Sequence, residues 1–406
     1  MSLSPSVSDH AADGATSQPP QLCWSEAGET RCALWRSEGG ASPPKRVVIG
    51  DDTLAADTAY RLACEGTAIL WRGDFQNARQ LLQALARRAD GKGRKADTKP
   101  KSGKKAKPAV SPVEAFHLHR QAQAQRARVL GMLLLPFDAD YGIPLRRAPD
   151  VRQACREAYG DNDLPFVASL RELQGIIGAH EWRKKGVEIA ALDARIHPHY
   201  GVFSPVRGEY LDLVARAPLP ANPLPLAFDI GTGTGVLAAL LARRGVGHVV
   251  ATDCAPRALA CARDNLARLP LSGRVEVVEA DLFPEGRAPL LVCNPPWLPA
   301  RPSSALEQAV YDPDSRMLRG FLSGASAHLA PGGEAWLILS DLAEHLGLRS
   351  REELLALIDA AGLTVAGRLD ARPTHPKASD ADDPLHAARM AEVTSLWRLQ
   401  PKQAAA

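Results

Sequence analysis

Residues 226–244 read Leu226-Ala-Phe-Asp-Ile-Gly-Thr-Gly-Thr-Gly-Val-Leu-Ala-Ala-Leu-Leu-Ala-Arg-Arg244. Leu226 to Ile230 has the apolar composition of a short buried strand. Gly231, Thr232, Gly233 and Gly235 make a tight turn, and the Ala/Leu run from Val236 to Arg244 predicts a helix. Glycine has no side chain to hold a ligand off, so such a turn brings backbone N–H groups and a helix N-terminus against one. A nucleotide-like ligand is therefore the first expectation. The turn alone leaves its identity open, because Gly233-Thr-Gly-Val-Leu-Ala238 also satisfies the loose dinucleotide pattern G-x-G-x-x-A. A purely structural turn is the alternative.

Downstream the pattern is regular. Strands are expected at His248–Asp253, Arg274–Glu279, Pro289–Cys293, Glu334–Ser340, Leu363–Leu369 and Glu392–Leu399, with helices at Pro256–Leu269, Ser315–Leu329 and Ser350–Ala361. Strands alternating with helices imply a parallel sheet covered on both faces, with ligands at the carboxyl ends of the strands.

Three further positions carry chemistry. Asp253 ends the second strand, where a carboxylate accepts hydrogen bonds from ribose hydroxyls; a helix cap is the alternative. Asp281, in Ala280-Asp-Leu-Phe283, follows the third strand and can accept from the exocyclic amine of an adenine, with Leu282 and Phe283 beside the base; a cap is again the alternative. Cys293-Asn-Pro-Pro-Trp-Leu-Pro299 follows the fourth strand. Pro295 and Pro296 remove two N–H donors and stiffen the turn, leaving carbonyl oxygens to face a cleft. Asn294 adds a side-chain carbonyl and Trp297 a flat aromatic surface. Together they form a receptor for a planar NH2 group.

This order, Asp229 to Gly235, Asp253, Asp281-Leu-Phe283, then Asn294-Pro-Pro-Trp297, resembles the class I S-adenosylmethionine-dependent methyltransferases of the Asn-Pro-Pro-aromatic branch. The resemblance covers about Tyr200 to the C-terminus. It implies an α/β protein whose C-terminal part is a seven-stranded Rossmann-like methyltransferase domain, with S-adenosyl-L-methionine as cofactor and methylation of a nitrogen conjugated to a planar system as activity. By this resemblance Asp229, Gly231, Thr232, Gly233 and Gly235 hold the methionine part of the cofactor, Asp253 the ribose, and Asp281 with Leu282 the adenine. Asn294, Pro295, Pro296 and Trp297 hold the target. Gly201-Val-Phe-Ser204 resembles the ribosomal RNA guanine-N2 methyltransferases. Asp281-Leu-Phe283, the Asn294 motif and Ser204-Pro-Val-Arg-Gly-Glu209 look like the release-factor glutamine methyltransferases, with Trp297 where those usually have Tyr.

The rest of the chain bounds the reading. Hydrophobic residues make up 45 % of the 406, no apolar run reaches the roughly 18 residues that span a bilayer, and Met1 to Gln21 is rich in Ser, Ala, Pro and Asp without the basic start and apolar centre of a signal peptide, so neither membrane nor secretion is expected and the cytoplasm is. The seven cysteines show no zinc spacing; reduced thiols without a metal are expected. The net charge of +3 is unevenly spread. Arg87 to Lys107 holds ten Lys/Arg against two Asp, a local +8, which leaves 3 − 8 = −5 on the remainder. The expected organisation is a disordered tail over 1–21, an α/β accessory region over 22–88, a basic disordered linker over 89–112, a helical accessory region over 113–186, and the methyltransferase domain over 187–400 with an extended lead-in at 187–210. Short strands at Arg31–Trp35, Lys45–Ile49 and Gly66–Trp71 and helices at Asp51–Glu65 and Asp74–Arg88 are expected in the first region, with Asp51 or Asp52 as a cap. The second holds an Arg-rich helix, Val113–Val129.

The basic linker and that helix favour RNA, ribosomal RNA first, as the substrate partner, with protein glutamine as the alternative. No feature of the sequence sets an oligomeric state. A cofactor-binding but inactive RNA-binding module is the reading of another class, against which the intact Asn294 motif argues. An NAD oxidoreductase lacks its Tyr/Lys or His arrangement. His197, His199 and Tyr200 are candidates for a substrate mouth, Arg207 and Glu209 for closing over the cofactor, and the excursion from Ala371 to Ala391, with His375, Lys377, Asp382, Asp383 and Arg389, for a lid.

Overall fold

A computed structural model of the chain describes residues 20–91, 110–271, 273–302, 306–373, 380 and 383–402. Its N-terminal half runs β1 (Gln21–Glu26), β2 (Glu29–Trp35), β3 (Arg46–Gly50), α1 (Ala56–Cys64), β4 (Thr67–Trp71), α2 (Phe75–Ala89), α3 (Pro112–Leu130), β5 (Leu133–Phe137), α4 (Arg152–Tyr159), β6 (Phe166–Ser169) and α5 (Leu170–Lys185). The six strands form one sheet in the order β1-β2-β6-β5-β4-β3. Pairing of β4 with β5, and of β2 with β6, joins the stretches 22–88 and 113–186 in that sheet. At four residues, β6 is too short to announce itself by alternation. The sheet's core holds Trp71, Phe75, Leu85, Phe137, Phe166 and Leu173.

Two expectations fail here. Cys23 and Cys32 are not reduced thiols: they face each other across the antiparallel β1–β2 pair and form a disulfide. Hairpin register brings together residues whose spacing carries no motif. Asp51 does not cap α1, which starts at Ala56 with no side-chain cap. Its carboxylate instead accepts from the Thr53 N–H and hydroxyl in a local turn. Asp74 does cap α2, accepting from the Gln76 N–H.

The C-terminal half begins with a two-stranded ribbon, β7 (Val187–Ile189) and β8 (Ala194–Ile196), and α6 (Glu209–Arg216). It continues with β9 (Leu226–Ile230), α7 (Val236–Arg243), β10 (His248–Asp253), α8 (Pro256–Arg268), β11 (Val275–Glu279) and β12 (Ala288–Cys293). Then come α9 (Arg316–His328), β13 (Leu329–Ser340), α10 (Leu342–His345), α11 (Arg351–Ala360), β14 (Leu363–Ala371), α12 (His386–Ala391) and β15 (Thr394–Pro401). Seven strands order as β11-β10-β9-β12-β13-β15-β14. Helices cover both faces, one core holding α6 and α7 with Val292 and Trp336, the other α9 and α11 with Phe228 and Leu337. The central strands β9, β12 and β13 are buried on both faces, as parallel strands between helices must be, while the edge strands β11 and β14 carry exposed charged residues.

The parallel sheet stops at β13. β15 runs antiparallel to both β13 and β14. Ala371 pairs with Thr394, so the chain leaves β14 and enters β15 at the same edge, and without a crossover neighbouring strands run antiparallel. Among the described residues no helix is long and apolar enough to cross a membrane, and no group of three or more metal-ligating side chains gathers. The expected basic linker lies mostly outside the described residues, as do His375, Lys377 and Asp382.

Candidate active site

The strand order reverses at β9, which has β10 on one side and β12 on the other. Clefts that hold ligands open at such a reversal. Ile230 pairs with Thr252 and with Cys293. Strands lie about 4.8 Å apart, so the glycine turn after Ile230 and the Asn294 turn after Cys293 stand side by side.

Gly231, Gly233 and Gly235 all take positive φ, at 74°, 56° and 80°, but for different reasons. A side chain at Gly231 would collide with the methyl of Met317, and one at Gly235 would come within 3.2 Å of the Ala262 backbone, where α7 packs on α8. At Gly233 nothing lies within 4 Å of where a Cβ would stand. The turn is pinned by the Gly231 and Thr232 N–H groups donating to the Thr252 carbonyl at 2.9 and 2.8 Å.

Asp229 is fully buried. Its Oδ2 accepts from the Thr232 hydroxyl at 2.6 Å and the Ala238 N–H at 3.0 Å, so half of the carboxylate is structural. Its Oδ1 is buried without a partner. Burial pushes the carboxyl up to about 7, against those two hydrogen bonds, with the nearby Asp253 charge adding to the rise. An orphaned carboxylate oxygen beside open backbone fits a ligand that carries a cationic group.

Asp253 accepts from the Gly233 N–H with Oδ2 and from the Ala255 N–H with Oδ1, each at 3.0 Å. Two of its roughly four lone-pair positions stay open for hydroxyl donors. Asp281 pairs with Arg316 at 3.0 Å on the surface. Leu282 adopts φ 76°, its carbonyl accepting from the Thr252 hydroxyl. Its side chain packs toward Gly320 of α9, and Phe283 stacks on His328 at 4.3 Å rather than standing in the cleft.

Asn294 is half-buried and Pro295 buried. The Trp297 indole N–H donates to Asn294 Oδ1 at 2.9 Å, which leaves that oxygen one lone pair. Trp297 packs against both cores, and the Arg207 guanidinium lies 5.1 Å from its ring centre. Arg207 reaches Glu209 at 2.8 Å and Glu392 at 3.0 Å, and Ser340 donates to Glu392 at 2.6 Å. Both carboxylates are nearly buried. The lead-in, α6 and the entry to β15 thus meet beside the Asn294 turn.

His197 and His199 belong elsewhere. His199 bonds Asp264 of α8 at 3.0 Å, and His197 bonds the Arg183 carbonyl near the end of α5 at 2.7 Å while its backbone N–H donates to Asn265 of α8 at 2.7 Å. Tyr200 packs on the N-terminal core. Of the expected lid residues, Asp383 and Arg389 pair at 2.7 Å. Reading the residues singly missed Met317, over the glycine turn, and Asp312, whose carboxylate accepts from the Met317 and Leu318 N–H groups. Asp-Pro-Asp-Ser before an apolar run was the available signal for that cap.

The sheet order and paired turns define a Rossmann-like methyltransferase fold. Residues 193–351 match the family described as Methyltransferase small domain. The release factor glutamine methyltransferase of Geobacter sulfurreducens is 30 % identical over 248 residues, 57 % of this chain and 78 % of that protein. That of Cereibacter sphaeroides is 36 % identical over 158 residues, 35 % of this chain and 54 % of that one. The ribosomal RNA small subunit methyltransferase C of Alcanivorax borkumensis is 32 % identical over 157 residues, 37 % and 44 % of the two chains. The matched region spans about half the length of the Cereibacter relative. The chain belongs to the small-domain methyltransferase family.

Proposed function

We propose that the chain transfers a methyl group from S-adenosyl-L-methionine to a planar nitrogen, and that this nitrogen is the side-chain amide of a protein glutamine. The observation that carries the reading is the adjacency of the Asn294 turn to the glycine turn, fixed by the pairing of Cys293 with Ile230. The cofactor supplies a methyl carbon made electrophilic by its sulfonium. The free Oδ1 of Asp229, with Gly231, Thr232, Gly233 and Gly235, holds its methionine part, Asp253 its ribose, and Asp281 with the Leu282 backbone its adenine. Asn294 Oδ1 and the Pro295 carbonyl accept the two N–H hydrogens of the target. That would turn the nitrogen lone pair out of conjugation and toward the methyl and stabilise the positive charge that grows on nitrogen; as the N–C bond forms the S–C bond breaks, S-adenosylhomocysteine leaves, and the methylated nitrogen gives up one of its N–H protons. Pro296 stiffens the turn, and the Trp297 N–H fixes the direction in which Asn294 presents its oxygen.

A protein amide is favoured over a base because the arginines of α3 are already committed. Arg120 bonds the Arg301 carbonyl, Arg126 bonds Asp90, and Arg128 bonds Gln125 and the Cys64 carbonyl. The release-factor relatives support the same choice. A base amine of ribosomal RNA is the second reading, favoured by the ten Lys/Arg of 87–107. Either substrate places the protein in the cytoplasm. Methyl transfer from labelled cofactor into fractionated cell protein and RNA is the test: label in protein is expected, and label in RNA alone removes the glutamine reading. Asn294→Ala is expected to lower transfer by at least about 100-fold while S-adenosylhomocysteine binds as before. A fully active variant sinks the receptor assignment.

A further inference from the structure

Helix α3 buries its two ends and not its middle. Phe116, near its start, is buried among Leu298, Leu342, Ala343 and Leu346 of the C-terminal half. Leu130, its last residue, is buried in the core of the N-terminal sheet. Residues 121–125 between them are exposed. A helix that is exposed through its middle, between two ends anchored in different halves, acts as a strut joining them.

Its C-terminal-half anchor is the loop that starts with Asn294. That loop closes on itself at a neck, where the Asp312 N–H donates to the Leu298 carbonyl at 2.9 Å and Leu298 N–H to the Val310 carbonyl at 3.2 Å. Arg120 clamps the neck from outside. Its guanidinium lies 3.9 Å from the centre of the Tyr311 ring, its Nη2 donates to the Arg301 carbonyl at 2.8 Å, and Glu307 lies 3.5 Å away. Asn294 stands four residues before Leu298 on one limb. On the other, Asp312 caps α9, which carries Met317 to the glycine turn. One clamp therefore bears on both halves of the site.

On the reading proposed above, we infer that Arg120 is a positioning residue for methyl transfer: through Tyr311 and Arg301 it holds the neck of the Asn294 loop, and so the direction in which the nitrogen receptor faces the glycine turn that the sheet sets beside it. The N-terminal sheet is then the foundation of the strut and part of the transfer machinery. Arg120 touches neither target nor cofactor, so its effect appears in the rate constant of the chemical step. Misplacement by about 1 Å costs on the order of 100-fold.

The test uses the full chain with Arg120→Ala and Arg120→Lys. Expected for Arg120→Ala are a fall in kcat of about 10- to 100-fold, S-adenosylhomocysteine affinity within about twofold of the parent, and faster amide hydrogen exchange confined to residues 298–318. Arg120→Lys keeps a donor for Arg301 but not the flat face on Tyr311, so it restores part of kcat. An Arg120→Ala protein with the parent's kcat and exchange overturns the inference, as does faster exchange spread over the whole sheet. Should the parent transfer no methyl to any protein or RNA fraction, the function proposed above falls, and the exchange data alone then decide the clamp.

Discussion

At the scale of single residues, Asp229 concentrates the electrostatics. Its carboxyl is raised from 3.8 to about 7, burial being the largest cause. Through that window the folded chain keeps a proton that the unfolded chain has released, so this group makes stability fall as pH rises from about 4 to 7. A cationic ligand at Oδ1 reverses the preference and drives the proton off. Affinity for S-adenosylmethionine is therefore expected to tighten about tenfold between about pH 6 and 8, measured by calorimetry. Asp229→Asn should bind more weakly and flatten the profile; an unchanged slope in that variant would refute the assignment. The place of Asp229, at the end of the strand before the glycine turn, was legible in the sequence. That one oxygen serves the fold and the other is free was not, because the division depends on where Thr232 and Ala238 point once α7 packs.

At the scale of elements, the glycine turn separates two costs. Gly233→Ala meets no neighbour and pays only the left-handed backbone term, about 1–2 kcal/mol. It also puts a methyl into the open space over the turn, so loss of cofactor binding should exceed loss of stability. Gly235→Ala adds contact with the Ala262 backbone and is expected to destabilise more, by up to about 3 kcal/mol. Urea unfolding and calorimetry on the two variants check the contrast, and equal stabilities would count against it. The alternating elements of the C-terminal half were readable because the central strands are apolar runs and helices such as α11 carry a cap of their own. The direction of β15 was not, since antiparallel and parallel strands of that composition read alike.

At the scale of the whole molecule, the substrate reading turns on charge. If protein is methylated, exchanging the lysines of residues 92–107 for glutamine should leave kcat/KM unchanged and insensitive to salt. For an RNA substrate the same change weakens binding and reduces its dependence on salt concentration. Steady-state kinetics at two ionic strengths distinguish them, and a salt-dependent loss would favour RNA. The two halves meet on both flanks of the site. Arg257, in the first turn of α8, pairs with Glu38 at 2.6 Å and donates to the Ala158 carbonyl at 2.7 Å, while α3 reaches the Asn294 loop.

The sequence by itself determined the alternation of the C-terminal half, the glycine turn and the Asn294 turn, because these follow from local composition and from residues close together in the chain. Only the tertiary structure decided that β4 and β5 share one sheet, that Cys23 meets Cys32, that Glu392 joins Arg207 beside Trp297, and that α3 grips the Asn294 loop. Those contacts depend on strand register and on surfaces brought together from far along the chain, which local patterning does not encode.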